Sequence, residues 1–311
     1  MSGRLAGRRA LVSGATGFLG GHLVAALVEE GAAVHAFGGR PGPAADGVAW
    51  HVADLRDPAG LAAVCSAVRP DVVFHLAAVG ARPGERDAER MRQVNVDGTW
   101  HLWHAAPAAA RFVMTGTCGE YGRHDGPSRE TDPCRPLSAY AATKHAAVTL
   151  VTALARESGR PAVVLRPYGP YGPGDDPGRV IPHAIAGLLR GETVPLTSGR
   201  QRRDFSFVSD HVEAMVRAAT AAGLEPGAIF NVASGRTVVL REALEAVAAI
   251  VGGPGRLDFG ALPDRPGDVP DMTADVSEAR ARLGFVAEVP FESGIRATAA
   301  WVASRLAEGG R

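Results

Sequence analysis

From Arg9 the chain runs through a short apolar stretch, Ala10 to Ser13, a glycine-rich turn, a helical segment from about Phe18 to Glu30 and a second apolar stretch, Ala33 to Phe37. This strand, turn, helix and strand form a βαβ opening of about 30 residues, which commits the two strands to a parallel sheet. The rhythm continues in Val48 to Val52, Val72 to Leu76, Phe112 to Met114 and Val163 to Leu165, alternating with helical segments such as Pro58 to Val68 and Asn95 to Ala106. Continuously apolar strands separated by helices predict an α/β fold whose sheet is covered on both faces.

After Arg166 the texture changes. Pro167, Gly169, Pro170, Gly172, Pro173, Gly174, Pro177 and Gly178 crowd one loop before a helix near Ile181 to Arg190. Short helices follow around Asp210 to Ala222 and Leu240 to Val251. We therefore expect a Rossmann-type doubly wound parallel sheet over residues 1–166, with a smaller C-terminal α/β lobe that binds substrate over 167–311. Some segments, such as 203–235, return to the main sheet. The 311 residues suffice for this arrangement.

The 33 basic and 33 acidic residues cancel, so no global field selects nucleic acid or an anionic membrane, and an anionic ligand has to be met by local arginines. Cys65, Cys118 and Cys134 are odd in number and widely spaced, which argues against a disulfide framework and a structural zinc site. Met1 to Ala10 is arginine-rich without an apolar run behind it, and no stretch of about 18 apolar residues occurs. The expected location is the cytoplasm, with no membrane partner.

Gly14-Ala15-Thr16-Gly17-Phe18-Leu19-Gly20 lies between a strand and a helix. There the backbone N–H groups and the helix dipole can meet a pyrophosphate, and missing side chains permit close approach. A glycine triplet alone is also compatible with a tight turn without ligand; the strand–turn–helix frame favours a dinucleotide. The second strand ends Phe37-Gly38-Gly39-Arg40. An acidic residue there would accept from the adenosine ribose and repel a 2′-phosphate, whereas Gly38 leaves room and Arg40 brings charge, so NADP is expected, with NAD as the alternative. The competing reading is an Arg40 that simply lies solvated in its loop. Asp54-Leu55 ends another strand region where an adenine amino group can be held.

Tyr140 and Lys144 are four residues apart in Ser138-Ala139-Tyr140-Ala141-Ala142-Thr143-Lys144-His145, on a stretch that reads as helix, so they share a face. A free tyrosine has a pKa of about 10, and an ammonium a few ångströms away can move it by units, making the phenol a usable acid or base. By itself such a spacing also describes an ordinary surface pair.

The landmarks Gly14 to Gly20, Asp54-Leu55, His75-Leu76-Ala77-Ala78, Asn95-Val96-Asp97-Gly98-Thr99, Tyr140 to Lys144, Tyr171-Gly172-Pro173-Gly174, Arg203-Asp204-Phe205 and Arg265-Pro266-Gly267-Asp268 occur in this order over nearly the whole chain. In them the sequence resembles the extended short-chain dehydrogenase/reductase family, in its nucleotide-sugar epimerase, dehydratase and reductase branch. The resemblance implies a catalytic Thr117, Tyr140 and Lys144. Thr117 stands four residues before the Tyr of Tyr121-Gly122, where its hydroxyl would stabilise charge on the reacting oxygen. It also implies cofactor contacts at Gly14, Thr16, Gly17, Phe18, Leu19, Gly20, Gly38, Gly39, Arg40, Asp54, Leu55, Leu76, Ala77, Ala78, Thr115, Tyr140, Lys144 and Pro167. Substrate contacts would come from Thr117, Cys118, Gly119, Tyr140, Arg203, Arg265 and Asp268, the two arginines clamping a nucleotide diphosphate. The competing role for these arginines is pairing with Asp204 or Asp264. Asn95 reads as structural support. His101 and His104, spaced i, i+3, lack a completing carboxylate or cysteine, so no metal is expected.

Departures from the family pattern narrow the chemistry. Dehydratases of this branch carry an Asp-Glu pair after the catalytic Thr, where this chain has Cys118 and Gly119, so 4,6-dehydration is not expected. Gly169 replaces an asparagine that usually meets the diphosphate. A 4-epimerase keeps its cofactor bound and generally uses NAD, whereas a ketoreductase exchanges it and draws on NADPH. Gly38, Gly39 and Arg40 thus favour an NADPH-dependent reductase of a nucleotide-linked 4-keto-6-deoxy sugar over a 4-epimerase with tightly bound NAD. A cofactor-sensing protein without catalysis is a third class, disfavoured by the retention of Thr117, Tyr140 and Lys144. By analogy with the family, a homodimer is expected.

Overall fold

A computed structural model of the chain describes residues 3–40, 42, 45–82, 84–264 and 268–309, so Arg265 lies outside the described residues. Seven strands form the main sheet: β1 (Arg9–Ser13), β2 (Ala33–Gly38), β3 (Val48–Val52), β4 (Val72–His75), β5 (Arg111–Thr115), β6 (Ala162–Pro167) and β7 (Ala228–Val232). All pairings are parallel and the order is β7-β6-β5-β4-β1-β2-β3. This is a Rossmann-type α/β sheet whose winding reverses between β1 and β4, where the flanking connections diverge and leave a crevice at the strand ends.

The continuously apolar strands are explained by their two covered faces. Side chains alternate across a strand, so Val12, Phe74 and Val113 join a core with Leu23 and Leu27, while neighbouring Leu11, Val73 and Phe112 join a second core with Leu61, Leu102 and Val148. Helix α1 (Phe18–Glu29) lies on the first face, and α2 (Pro58–Val68), α3 (Gly98–Ala105) and α4 (Ala139–Ser158) on the second. Each such side chain contributes about 1.5–3 kcal/mol on burial.

Most elements differ from the sequence reading only by a residue or two at their ends. The strand expected over Val72 to Leu76 ends at His75, and the helix expected over Asn95 to Ala106 is instead a π-helical segment, Arg92–Asp97, leading into α3. The wider π turn is held where Asn95 Oδ1 accepts from Val79 N (2.9 Å) and Asn95 Nδ2 donates to Thr143 Oγ1 (3.0 Å). Such turns are often found at functional sites.

Beyond β6 the chain builds a lobe from α5 (Val180–Arg190), α7 (Leu240–Val251) and α8 (Phe291–Gly309), with a core that includes Ile181, Ile185, Leu188, Val247 and Ile295. Its small sheets pair Thr193–Leu196 with Arg256–Phe259, and Arg202–Asp204 with both Thr237–Val239 and Asp271–Met272. Between these segments α6 (Val208–Thr220) and β7 return to the main sheet. Among the described residues no helix is long and apolar enough to cross a membrane.

The turn from β1 into α1 is packed against itself: a Cβ at Gly20 would collide with the Gly14 carbonyl. Gly20→Ala is expected to cost about 1–3 kcal/mol by overpacking backbone against backbone. Urea denaturation of the two proteins measures it, with a lowered midpoint at unchanged slope.

Candidate active site

The crevice between β1 and β4 is kept narrow by backbone contact. Gly14 has φ +73°, and a Cβ on it would lie 2.6 Å from Ala77 N. Beneath it runs a buried chain: Ser13 Oγ lies 2.7 Å from His75 Nδ1, His75 Nε2 2.8 Å from Thr99 Oγ1, and Thr99 Oγ1 donates to Asn95 O (2.6 Å). Burial and the nearby Lys144 push His75 down to about 3, so the ring is neutral and acts as a hydrogen-bonded strut. Gly17 caps α1 without a side-chain bond, leaving the first-turn N–H groups for a ligand.

Across the crevice β5 ends in a 3₁₀ turn, Cys118–Glu120, capped by Thr117. Thr117 Oγ1 accepts from Gly119 N (3.2 Å), and Glu120 Oε1 accepts from Thr117 N (2.8 Å), a reciprocal capping box that fixes the threonine. Ser138 caps α4 by accepting from Ala141 N (3.1 Å), which starts the helix one residue before Tyr140 and sets Tyr140 and Lys144 one turn apart. Thr117, Tyr140 and Lys144 converge on a cleft of about 750 Å³. Asn95 supports it from behind by bonding Thr143.

The electrostatics correct one expectation. Lys144 does not draw the Tyr140 phenol down: burial, reinforced by Cys118 and Glu120, pushes it up to about 12. Burial likewise pulls Lys144 down to about 8, against the opposing pull of Glu120. Both groups lose more hydration than their neighbours restore, so at neutral pH Tyr140 holds its proton and Lys144 carries a charge stabilised poorly.

The cleft is also lined by Gly14, Gly17, Phe18, Leu19, Gly20, Leu76, Ala78, Thr115 and Pro167 on the cofactor side, and by Cys118, Arg203 and Asp268 on the other. Thr16 is exposed, Leu55 is buried in the second core, Ala77 turns its N–H to Ser13 Oγ (3.3 Å) and Gly119 lies behind Thr117; none of these four lines the cleft. Gly38, Gly39, Arg40 and Asp54 sit beyond it at the ends of β2 and β3. There a Cβ on Gly38 would meet only Arg40 O, at 3.7 Å, and Arg40 is exposed. Asp54 pairs with Arg56 (2.7 Å), whose hydrogen bonds hold the carboxyl at about 2.

Arg203 pairs with Asp268 (2.7 Å) and donates to Val269 O (2.8 Å), while Gln201 Nε2 donates to the other Asp268 oxygen (2.9 Å). Its partner is thus neither Asp204, which accepts from Ser234 and Gly235, nor Asp264, which accepts from Ser198. Gly169, at φ +38°, abuts the Asp204 carbonyl so closely that the family's asparagine has no room. Arg179, His183, Thr197 and Gln201 also line the cleft, on the side of Arg203 and Asp268, and are absent from the sequence reading. Arg179 faces the buried Asp175 at 3.6 Å, and burial pushes that carboxyl up to about 6. Only Arg179's place just before α5, after the Gly-Pro loop, marks it in the sequence. Glu120, His145 and Cys134 approach one another, but the guanidinium of Arg166 already supplies a cation there, 3.0 Å from Glu120. His101 and His104 bond the carbonyls of Leu55 and Trp100.

Residues 10–233 match the family model described as the NAD dependent epimerase/dehydratase family. The chain is 33% identical to a UDP-glucose 4-epimerase of Mycolicibacterium smegmatis, covering 93% of this chain and 97% of the relative. It is 32% identical to a dTDP-glucose 4,6-dehydratase of Xanthomonas campestris pv. campestris, over 94% and 92%. The solved UDP-glucose 4-epimerase of Thermus thermophilus, in complex with NAD, superposes with a TM-score of 0.86 at 30% identity, over 95% of this chain and 99% of that one.

A buried lysine with a lowered pKa destabilises the fold. Between about pH 8 and the unfolded value of about 10.4 the unfolded chain binds the extra proton, so stability rises with pH across that window and is lowest below it. Lys144→Met is expected to raise stability at pH 7 by roughly 2 kcal/mol while abolishing turnover. Thermal unfolding at pH 7 and pH 10 checks this: the gain should shrink at the higher pH.

Proposed function

Since the chain belongs to the NAD-dependent epimerase/dehydratase family, we propose that it reduces the C4 ketone of a nucleotide-linked 4-keto-6-deoxy sugar with NADPH. The glycine turn, the uncapped start of α1 and the cleft running on to Lys144 fit a dinucleotide, which when bound supplies the hydride. Tyr140, protonated up to about pH 12, donates its proton to O4 as the ketone becomes an alcohol. Thr117 Oγ hydrogen-bonds the same oxygen, and the Lys144 ammonium holds the nicotinamide ribose. Arg203, oriented by Asp268, and Arg179 hold the diphosphate side of the substrate. Cys118, whose Sγ lies 4.0 Å from Met272 Sδ, gives an apolar wall suited to a methyl rather than a hydroxymethyl group.

The observation that carries the reductase reading is the end of β2. No carboxylate stands on Gly38-Gly39-Arg40, and the nearby Asp54 is engaged by Arg56, so Arg40 favours a 2′-phosphate. Cys118 and Gly119 supply neither the acid nor the base that dehydration needs. A second reading, a 4-epimerase retaining NAD, is favoured by the M. smegmatis and T. thermophilus relatives. The same Tyr140 would then pass its proton in both directions.

Purified protein incubated with dTDP-4-keto-6-deoxyglucose should consume NADPH faster than NADH. Tyr140→Phe should lower kcat by about 10²–10⁴-fold with the NADPH Kd within about twofold, and Arg40→Ala should weaken NADPH about tenfold, a loss of about 1.4 kcal/mol, without affecting NADH. Copurifying NAD, with interconversion of UDP-glucose and UDP-galactose and no net NADPH use, would establish the second reading instead.

A further inference from the structure

The turn after β5 holds a charge that this chemistry leaves unused. Glu120 is fully buried, in a position flanked by the end of β5, β6 and α4. One carboxylate oxygen accepts from Thr117 N (2.8 Å). The other accepts from Arg166 Nε (3.1 Å) and Nη2 (3.0 Å) and lies 3.3 Å from His145 Nδ1. Arg166, also buried, donates in addition to Tyr121 Oη (2.8 Å) and Cys134 Sγ (3.3 Å), and Tyr121 Oη donates to Asn231 Oδ1 (2.7 Å). The sequence places His145 directly after Lys144.

Burying an ion pair is seldom a net gain in stability over an apolar filling of the same shape, so a pair retained here calls for another reason. Desolvation alone would raise the Glu120 carboxyl; His145, Arg166 and the Thr117 N–H outweigh it and hold it below its ordinary value, so it is ionised at neutral pH. The charged and titratable groups acting on Tyr140 are Cys118, Arg179 and Glu120, and Lys144 feels Glu120. His75 is neutral and Cys134 is held as a thiol by burial.

We propose that Glu120 is a positioning residue for this site: its carboxylate holds the Thr117 turn through the backbone N–H and sets a fixed negative charge against the helix that carries Tyr140 and Lys144. Arg166 and His145 hold that charge in place. The inference rests on the reading of Thr117, Tyr140 and Lys144 as the reacting groups.

Glu120→Gln keeps an acceptor for Thr117 N and removes the charge, whereas Glu120→Ala removes both. With dTDP-4-keto-6-deoxyglucose as probe, E120Q is expected to lose about tenfold in kcat with KM within about twofold, and the alkaline limb of its kcat profile to move about one pH unit lower. The double variant E120Q/R166M also removes the guanidinium that E120Q leaves without its carboxylate; it should have a higher Tm than E120Q and keep the displaced limb. Hydrogen exchange of the 115–121 backbone should accelerate in E120A and stay near wild type in E120Q. A limb and kcat unchanged in both E120Q and the double variant, or exchange unchanged in E120A, overturns the proposal. If wild type does not turn over the probe, the substrate reading fails on its own, and the exchange comparison still decides the clamp on Thr117.

Discussion

Everything at this site depends on how closely two backbone segments approach where the sheet changes direction. Gly14 lies against Ala77 with no space for a Cβ, and Gly20 lies against Gly14 in the same way. The turn is therefore pressed onto the end of β4, and the hydrogen-bonded series Ser13, His75 and Thr99 ties that junction to α3. Because Thr99 in turn bonds Asn95, and Asn95 reaches Thr143 beside Lys144, one connected set of contacts spans the floor from the glycine turn to α4. A crevice built this way is preorganised, since the placing of its side chains is set by contacts within the fold.

Much of this is legible in the residues. Helix α2 is readable over Pro58–Val68 because Asp57 caps it and proline opens it. Tyr140 and Lys144 show through their spacing, and Thr117 through its distance from Tyr121-Gly122. What stays hidden is set by tertiary context. Local sequence carries no sign that Asn95 will widen a helical turn, because its partners Val79 and Thr143 lie 16 residues before it and 48 after it. Glu120 reads as one acidic residue in a turn; its role depends on Arg166, 46 residues away. The tyrosine's proton affinity eludes the sequence for a related reason: spacing reveals the neighbouring ammonium, while burial, the larger effect, belongs to the whole fold.

The lobe beyond β6 is the least readable part. Its strands run two to four residues, too short for periodicity to register, and its cleft-lining side chains come from separate segments. Arg203 and Asp268 are 65 residues apart, yet one ion pair joins them and turns the guanidinium to the cleft. That wall of the cleft thus comes from the part of the molecule whose sequence says least about its shape.

The π-helical segment Arg92–Asp97 has an evolutionary corollary. A π turn closes over one residue more than an α turn. Deleting one residue there would restore regular winding and swing Asn95 by about 100° around the axis. Its amide would leave Val79 and Thr143 together, detaching the floor of the cleft from the helix that carries Lys144. Few one-residue gaps in a helix are expected to matter so much, and lineages that keep this site should keep the length of this segment even where its residues drift.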